Sequence, residues 1–218
     1  MMQIVLNNNL LELLPERALW WPDRRLLMIA DVHLGKDQVF RRHGIAIPGS
    51  VLHSELEALS RMVGRYRPEQ LLVLGDWVHA PPSADDDWPE TVRRWRTVHG
   101  QLSIDLVLGN HDRRLDAWLS QWRMGRIDHA LELDGLQLIH AVDAEQAEIK
   151  PGVSGHWHPC VHLRSGRESL RMPAFALRDQ HLILPSFGRF TGGMDGLEQY
   201  GWQLLAVAGQ RIAAINPP

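Results

Sequence analysis

Four apolar runs in this chain end on the same kind of residue, and that repetition limits the fold more than any other feature. Residues 26–30 (LLMIA) run into Asp31, residues 71–75 (LLVLG) into Asp76, residues 105–109 (DLVLG) into Asn110, and residues 136–139 (LQLI) into His140. Short apolar runs without alternation read as strands buried on both faces. Each then presents a carboxylate, an amide or an imidazole at its carboxyl end, where open α/β sheets place their ligand sites. Turn chemistry accounts for a Gly followed by Asn or Asp at one such end. It does not account for an imidazole between an amide and a carboxylate, as in Asn110, His111 and Asp112.

Helical periodicity fills the gaps. Residues 48–66 place Val51, Leu52, Leu56, Leu59, Met62 and Val63 at helical spacing, with Pro48 and Ser50 suited to the start. Residues 87–100 predict a second helix, with Trp88, Val92, Trp95 and Val98 on one side, and residues 111–122 a third. Strands alternating with helices imply crossovers and parallel pairing. Beyond about residue 126 the texture turns to hairpins. Their turns are expected at Asp134-Gly135, Ser165-Gly166, Arg178-Asp179 and Gly209-Gln210. No linker separates the halves, so residues 1–218 predict a single domain, a two-layered α/β sandwich. The polar stretch 80–89 (APPSADDDWP) reads as a solvated loop whose aspartates bind water rather than metal.

Composition excludes several function classes. With 218 residues and 44% hydrophobic content, a sizeable core is available. Twenty-three basic against 26 acidic residues leave a net charge of −3, which is not that of a globally basic nucleic-acid binder. The basic residues are nearly all Arg, with only Lys36 and Lys150 as lysines; Arg suits phosphate oxygens, although codon bias gives the same pattern. Cys160 is the sole cysteine, so no internal disulfide forms, in keeping with a reducing compartment. The first 17 residues lack a basic, apolar and small-residue leader pattern, and no run approaches the ~18 apolar residues of a membrane span. The expectation is a cytoplasmic protein with no membrane contact.

The polar strand ends form a metal-ligand inventory. Asp31-Val32-His33 lets a carboxylate and an imidazole project together from extended chain. Asp76 in GDWVH, Asn110 in GNHD, His140, and His156 with His158 in GHWHP complete it. Carboxylate, amide and imidazole donors suit Mn, Fe or Zn, and the lack of a thiolate argues against a structural zinc site. Seven ligands suit two ions sharing one carboxylate. Two ions roughly 3.5–4 Å apart, with a hydroxide bridging them, are a device for in-line displacement at phosphorus. The leaving oxygen then needs a proton, a role open to His111, with Asp112 expected to fix its tautomer.

These motifs (DVHLG, GDWVH, GNHD, a His after a β-run, and GHWH) resemble, in order, the five-part signature of the calcineurin-like metallophosphoesterases, over residues 31 to 158. DVHLGK, RRHGIAIPG, GHWHP and LPSFGRFTGG are also similar to a narrower group, the bacterial ligase-associated DNA damage response endonucleases. The resemblance implies an α/β/β/α sandwich of mixed sheets flanked by helices. It assigns Asp31, His33 and His158 to one ion, Asp76 as a bridge, and Asn110, His140 and His156 to the other, with His111 as proton donor. Many relatives have Gly before the isolated histidine, where this chain has Ile139, which leaves His129 as an alternative to His140. The resemblance further implies two Mn²⁺ ions, a DNA phosphodiester substrate, a role in DNA repair, and association with an ATP-dependent DNA ligase, a helicase and an exonuclease. Rival readings are the same chemistry on a small nucleotide or phosphomonoester, and a non-catalytic protein-interaction module on the same fold.

Other residues divide between pocket and packing. Arg41, Arg42, His43, His79 and Arg113 are candidates to line the substrate side, as is Arg114. Trp157, between two ligand histidines, is expected to support them. His53, His99, His129 and His181 lack ligand spacing and read as packing or surface residues. The SFGRFTGG stretch reads as a substrate-side loop.

Overall fold

The computed structural model describes residues 1–215 apart from 43, 45–50, 84, 147, 166, 167 and 190. One sheet is laid down in chain order. β1 (Met2–Leu6), β2 (Asn9–Leu14), β3 (Ala18–Trp21) and β4 (Leu26–Ile29) pair antiparallel; β5 (Gln70–Leu74), β6 (Ser103–Val107) and β7 (Gly125–Ile127) then continue parallel to β4. α1 (Lys36–Arg42) and α2 (Val51–Tyr66) follow β4, α3 (Trp88–Val98) links β5 to β6, and α4 (Asp116–Gln121) links β6 to β7. Right-handed crossovers between successive parallel strands put their helices on one face. There Leu27, Ile29, Leu71, Val73, Ile104 and Leu106 pack against Leu56, Leu59, Val92 and Trp122.

The alternate residues of the same strands, Leu26, Met28, Leu72, Leu74 and Val107, face the other way and meet a second sheet. Its strands are β8 (Ala130–Leu133), β9 (Leu136–Ile139), β10 (Gly152–Ser154), β11 (Cys160–Ser165), β12 (Glu168–Arg178), β13 (His181–Ile183), β14 (Gln203–Ala208) and β15 (Arg211–Ala214). The order is β15-β14-β12-β13-β10-β9-β8, with β11 paired to β12. β9, β10 and β13 run parallel; the other pairs are antiparallel. Leu136, Leu138, Val153, Phe175, Leu182 and Leu205 supply its half of the inter-sheet core. The expected two-layered α/β sandwich of mixed sheets is thus present. Among the described residues, the second sheet's outer face is covered by Ala144 and by a 3₁₀ turn (Leu197–Tyr200) beside Trp202, not by an α-helix.

Three details depart from the sequence reading. The N-terminal meander β1–β2–β3 is not anticipated by it, although Asn7-Asn8, both with positive φ, carries the signature of a two-residue hairpin turn. The helix expected over 111–122 is confined to Asp116–Gln121, because the His111 amide donates to the Asp76 carboxylate and the Asp112 carboxylate is taken up by the Gly109 and Val78 amides. The turn expected at Arg178-Asp179 lies one residue later, since Arg178 pairs with His181. Turns at Asp134-Gly135 and Gly209-Gln210 are as expected, whereas Ser165 pairs with Glu168 across residues outside the described set. Asp86, in the stretch read as solvated, accepts hydrogen bonds from the Ser83 amide and hydroxyl and forms an ion pair with Arg42.

His99 and His181 are packing residues, as the sequence suggested. His99 meets Ser60 Oγ at 2.9 Å, and the Trp95 indole N–H donates to the same hydroxyl. His181 lies buried between the Lys150 carbonyl and Ser154 Oγ. Burial lowers the His181 imidazole to about 4. An unfolded chain protonates the ring near pH 6.5. Its contribution to stability is therefore complete above pH 6.5 and is lost as pH falls toward 4. Urea unfolding of the metal-free protein should show His181→Gln less stable than wild type at pH 7.5, with the gap narrowing by pH 4.5.

Candidate metal centre

The carboxyl ends of the parallel strands from both sheets converge on one rim. Asp31 and His33 follow β4, Asp76 follows β5, Asn110 and His111 follow β6, His140 follows β9, and His156 and His158 follow β10. The sheets are joined there by polar contacts. The His156 amide donates to Asp31 Oδ2 at 2.8 Å, and the Ser186 hydroxyl to the Asp31 carbonyl at 2.8 Å. Gly155 makes the approach possible, since a Cβ there would stand 2.6 Å from Asp31 Oδ2 and from the Ala30 side chain.

The backbone at this rim is unusual. Asp31, His33, Asp76, His156 and His158 all adopt positive φ, between 47° and 71°. Non-glycine residues enter this region at a cost, and runs of them gather at functional sites. The left-handed turns aim consecutive polar side chains inward rather than to alternate faces of a strand.

Three groups of potential ligand atoms result. Asp31, His33 and His158 form one, Asp76, His140 and His156 a second, and His33, His79 and His111 a third that shares His33 with the first; within each group the atoms lie within 4.8 Å of one another. His158 Nε2 stands 3.1 Å from Asp31 Oδ1. Asp76 Oδ2 faces the first two groups, at 3.8 Å from His33 Nε2 and 3.7 Å from His140 Nε2. Asn110 Oδ1 lies 2.9 Å from His140 Nε2, and His156 Nδ1 lies 3.2 Å from that nitrogen. His140 Nδ1 has the Leu74 carbonyl as its partner at 3.0 Å, which places the proton on Nδ1 and leaves the Nε2 lone pair directed at the site.

The donor set fits divalent cations. Asp31 Oδ1, both His33 nitrogens and His158 Nε2 are buried without a hydrogen-bond partner among the described residues. Such groups are costly unless something coordinates them. Burial, reinforced by His158 and Lys36, lowers the His33 imidazole to about 2, and burial with neighbouring His140 lowers His156. Both rings are therefore neutral at pH 7, the form that ligates metal. Oxygen and imidazole donors without thiolate admit Mn, Fe or Zn.

The chain superposes on the crystal structure of Pseudomonas putida nuclease MPE with a TM-score of 0.82, at 30% identity over 98% of this chain and 99% of that one. The chain belongs to the family of that nuclease. A phosphoesterase from E. coli, Yfce, aligns at 17% identity over 87% of this chain and 97% of its own, with a TM-score of 0.42. No family model matches the chain, and no curated protein does.

In this member of the nuclease MPE family, all seven expected ligands share one rim. His140 takes the place for which His129 was the alternative; His129 is exposed, away from the site. Gly75, not the residue before His140, makes room for that ring: a Cβ on Gly75 would stand 2.0 Å from His140 Nδ1. His79 joins the cluster, its ring stacked on His111 at 5.2 Å and edge-on to His33 at 5.6 Å. Trp157 supports the rim, with its indole N–H donating to the Val142 carbonyl.

Asp112 requires a correction. Its carboxylate does not hold the His111 ring. It accepts from the Gly109 and Val78 amides at 2.9 and 3.2 Å and so clamps the β6 end to the β5 end. Burial raises it to about 6. The His111 ring is oriented instead by the His79 carbonyl, 2.7 Å from Nδ1. Arg41 is tied to Asp37 and Arg42 to Asp86, while Arg113 is exposed beside His111; His43 lies outside the described residues. Arg17, Arg171 and Arg189 line one cavity with His158; Arg189 lies in the SFGRFTGG stretch read as a substrate-side loop, whereas Arg17 and Arg171 were missed because they sit far apart in the chain with no strand-end motif.

Gly109 has its own role. A Cβ there would meet Asp76 Oδ1 at 2.2 Å. Gly109→Ala should displace that carboxylate and weaken Mn²⁺ binding by roughly 10–100-fold, as loss of residues that orient ligands does elsewhere. Isothermal titration with Mn²⁺ reads this, with far-UV circular dichroism expected to match wild type.

Proposed function

We propose that this chain is a metal-dependent phosphodiesterase acting on nucleic acid, a DNA endonuclease with two divalent ions, Mn²⁺ foremost. The observation that carries the proposal is the placement of Asp76 Oδ2 between two three-residue groups of ligand atoms, 3.8 Å from His33 and 3.7 Å from His140. A single carboxylate facing both groups suits a shared ligand of an ion pair. Similarity to a protein described as a nuclease supports a nucleic-acid substrate.

Two ions held here would supply Lewis-acid polarisation of a phosphoryl oxygen and an acidified water for in-line attack. The remaining work falls to the protein. Asp31, His33 and His158 would hold one ion and Asn110, His140 and His156 the other, with Asp76 between. The leaving alkoxide needs a proton, and His111 is placed to give one. Its Nδ1–H is committed to the His79 carbonyl, so Nε2, 4.0 Å from Asp76 Oδ2, is the atom directed at the cleft, and it carries the proton to be given when the ring is the imidazolium. Its side chain is 35% exposed, open enough to meet a substrate. The His79 ring, stacked beneath it, limits its rotation.

His111→Ala should keep both Mn²⁺ ions by elemental analysis and lose roughly 10²–10⁴-fold in kcat on DNA, the usual contribution of a positioned proton donor. The loss should shrink on an aryl ester, whose leaving group needs no proton. Asp76→Ala should fail to retain metal. If His111→Ala instead emptied a metal site, the division of roles would be wrong.

Substrate class is tested with a panel at fixed Mn²⁺: single-stranded DNA, duplex DNA, a cyclic nucleotide and a simple aryl phosphate, each over a salt range. Cleavage of DNA that weakens steeply with salt supports the proposal, since phosphate-backbone contacts release counterions. Turnover of the small esters alone would replace it with a nucleotide or phosphomonoester reading, which the net charge of −3 mildly favours.

A further inference from the structure

The metal centre opens on one side into a groove that the mechanism above does not use. A cavity of about 170 Å³ begins at His158 and is lined by Arg17, Arg171 and Arg189, with Gly188, Thr191, Gly192 and Gly193 along one wall. A larger one, about 610 Å³, contains Arg17 and Arg189 again and adds Arg61 and Arg65. The shared arginines make the two cavities one passage. It runs from the rim between the β2–β3 turn, helix α2 and the β14–β15 turn.

Five arginines face two carboxylates in this passage. Glu16 is paired with Arg65 at 3.2 Å. Glu55 is buried and accepts the Arg189 amide at 3.2 Å; burial pushes its carboxyl up to about 7, so it offsets the positive charge only in part at neutral pH. The guanidinium donors near the metal rim are largely unspent. Arg17 gives one N–H to the Ser186 carbonyl at 3.4 Å, and Arg171 gives Nε–H to Cys160 Sγ at 3.0 Å. Among the described residues, no hydrogen bond or ion pair holds the Arg189 guanidinium. Each guanidinium carries five N–H donors in a planar fork matched to phosphate.

The glycine-rich loop shapes the neck of the groove. A Cβ on Gly193 would come within 2.7 Å of the His158 carbonyl and 3.1 Å of Arg171 Nη2, and one on Gly188 within 2.4 Å of the Val32 carbonyl. A side chain at Gly193 would fill the space between the metal rim and Arg171, and one at Gly188 would press on the Val32 and Asp31 carbonyls. Gly193 therefore keeps the passage open where it meets the site.

We propose that this groove is the track of a polynucleotide backbone on one side of the cleaved bond, with Arg171 and Arg189 holding the phosphates nearest the metals and Arg17, Arg61 and Arg65 those farther along. The proposal rests on the nucleic-acid reading above. A lone phosphomonoester would end at the metals and leave Arg17, Arg171 and Arg189 with no phosphate to hold, whereas Arg65 and Arg61 already face Glu16 at 3.2 Å and Glu57 at 3.8 Å. A chain of phosphates uses the groove along its length. It also reconciles a net charge of −3 with DNA binding, because the positive charge is concentrated where the backbone would lie.

The test is equilibrium binding of a fluorescein-labelled single-stranded oligodeoxynucleotide to the full chain in EDTA, where no hydrolysis occurs, over a range of salt. The double variant Arg171→Gln/Arg189→Gln should bind roughly tenfold or more weakly, with a log–log salt slope shallower by about 1.4, since each phosphate contact on a single strand contributes about 0.7. Arg93→Gln/Arg94→Gln, an equal charge change on exposed α3 arginines outside the groove, should bind as wild type does. A groove variant that binds like wild type, or a control that loses as much, overturns the groove and leaves the nuclease reading standing. Wild-type protein that neither binds the oligonucleotide nor cleaves DNA with Mn²⁺ overturns the nucleic-acid reading itself, and the groove with it.

Discussion

Where the two sheets meet at the rim, the buried carboxylate of Asp31 accepts the His156 amide at 2.8 Å, and Gly155 lets the chains come close enough for it. Asp76, 2% exposed, accepts the His111 amide at 2.9 Å in the same region. Two buried carboxylates this close to four imidazoles repel one another unless hydrogen bonds or cations balance them. The loops after β4, β5, β6 and β10 are arranged around that electrostatic demand. Their left-handed turns and intolerant glycines follow from it, because only such turns bring side chains from both sheets to one place.

The fold answers the demand with rigidity. The ligands come directly after strands buried on both faces, so the polar side chains start from fixed points. Carbonyl partners set the tautomers of His140 and His111, and the Asp112 carboxylate clamps two strand ends together. Preorganisation of this kind is what a metal-assisted phosphoryl reaction needs, since its catalysis comes from placing charge where charge develops. The groove of arginines lies beside the rim and not within it, so in the proposed function the residues that would bind a long substrate are separate from those that would do the chemistry.

Much of this was legible in the linear chain. Runs such as LLMIA and LLVLG are apolar throughout because both faces are covered, and each stops on its polar residue because the strand's end is the edge of the site. DVH and GHWH place their ligands two apart, a spacing readable without coordinates. The reading failed where a distant hydrogen bond overrides a local pattern. Residues 111–115 have helical spacing but are held as a turn by contacts with Asp76, Gly109 and Val78. Asp112 sits beside His111 in sequence, yet its carboxylate points to the backbone of the neighbouring strand.

By itself, the sequence determined the α/β character, a run of parallel strands followed by hairpins, and the seven polar residues at strand ends, because burial and chain periodicity are local properties of a strand and its neighbours. Only the tertiary structure decided which atoms face one another: that Asp76 lies between the two ligand groups, that Gly75 rather than the residue before His140 makes room for its ring, and that Arg17, Arg171 and Arg189 line one groove. Those facts depend on tertiary packing, which joins positions as distant in sequence as Gly75 and His140, or Arg17 and Arg189, and leaves no periodic trace in the chain.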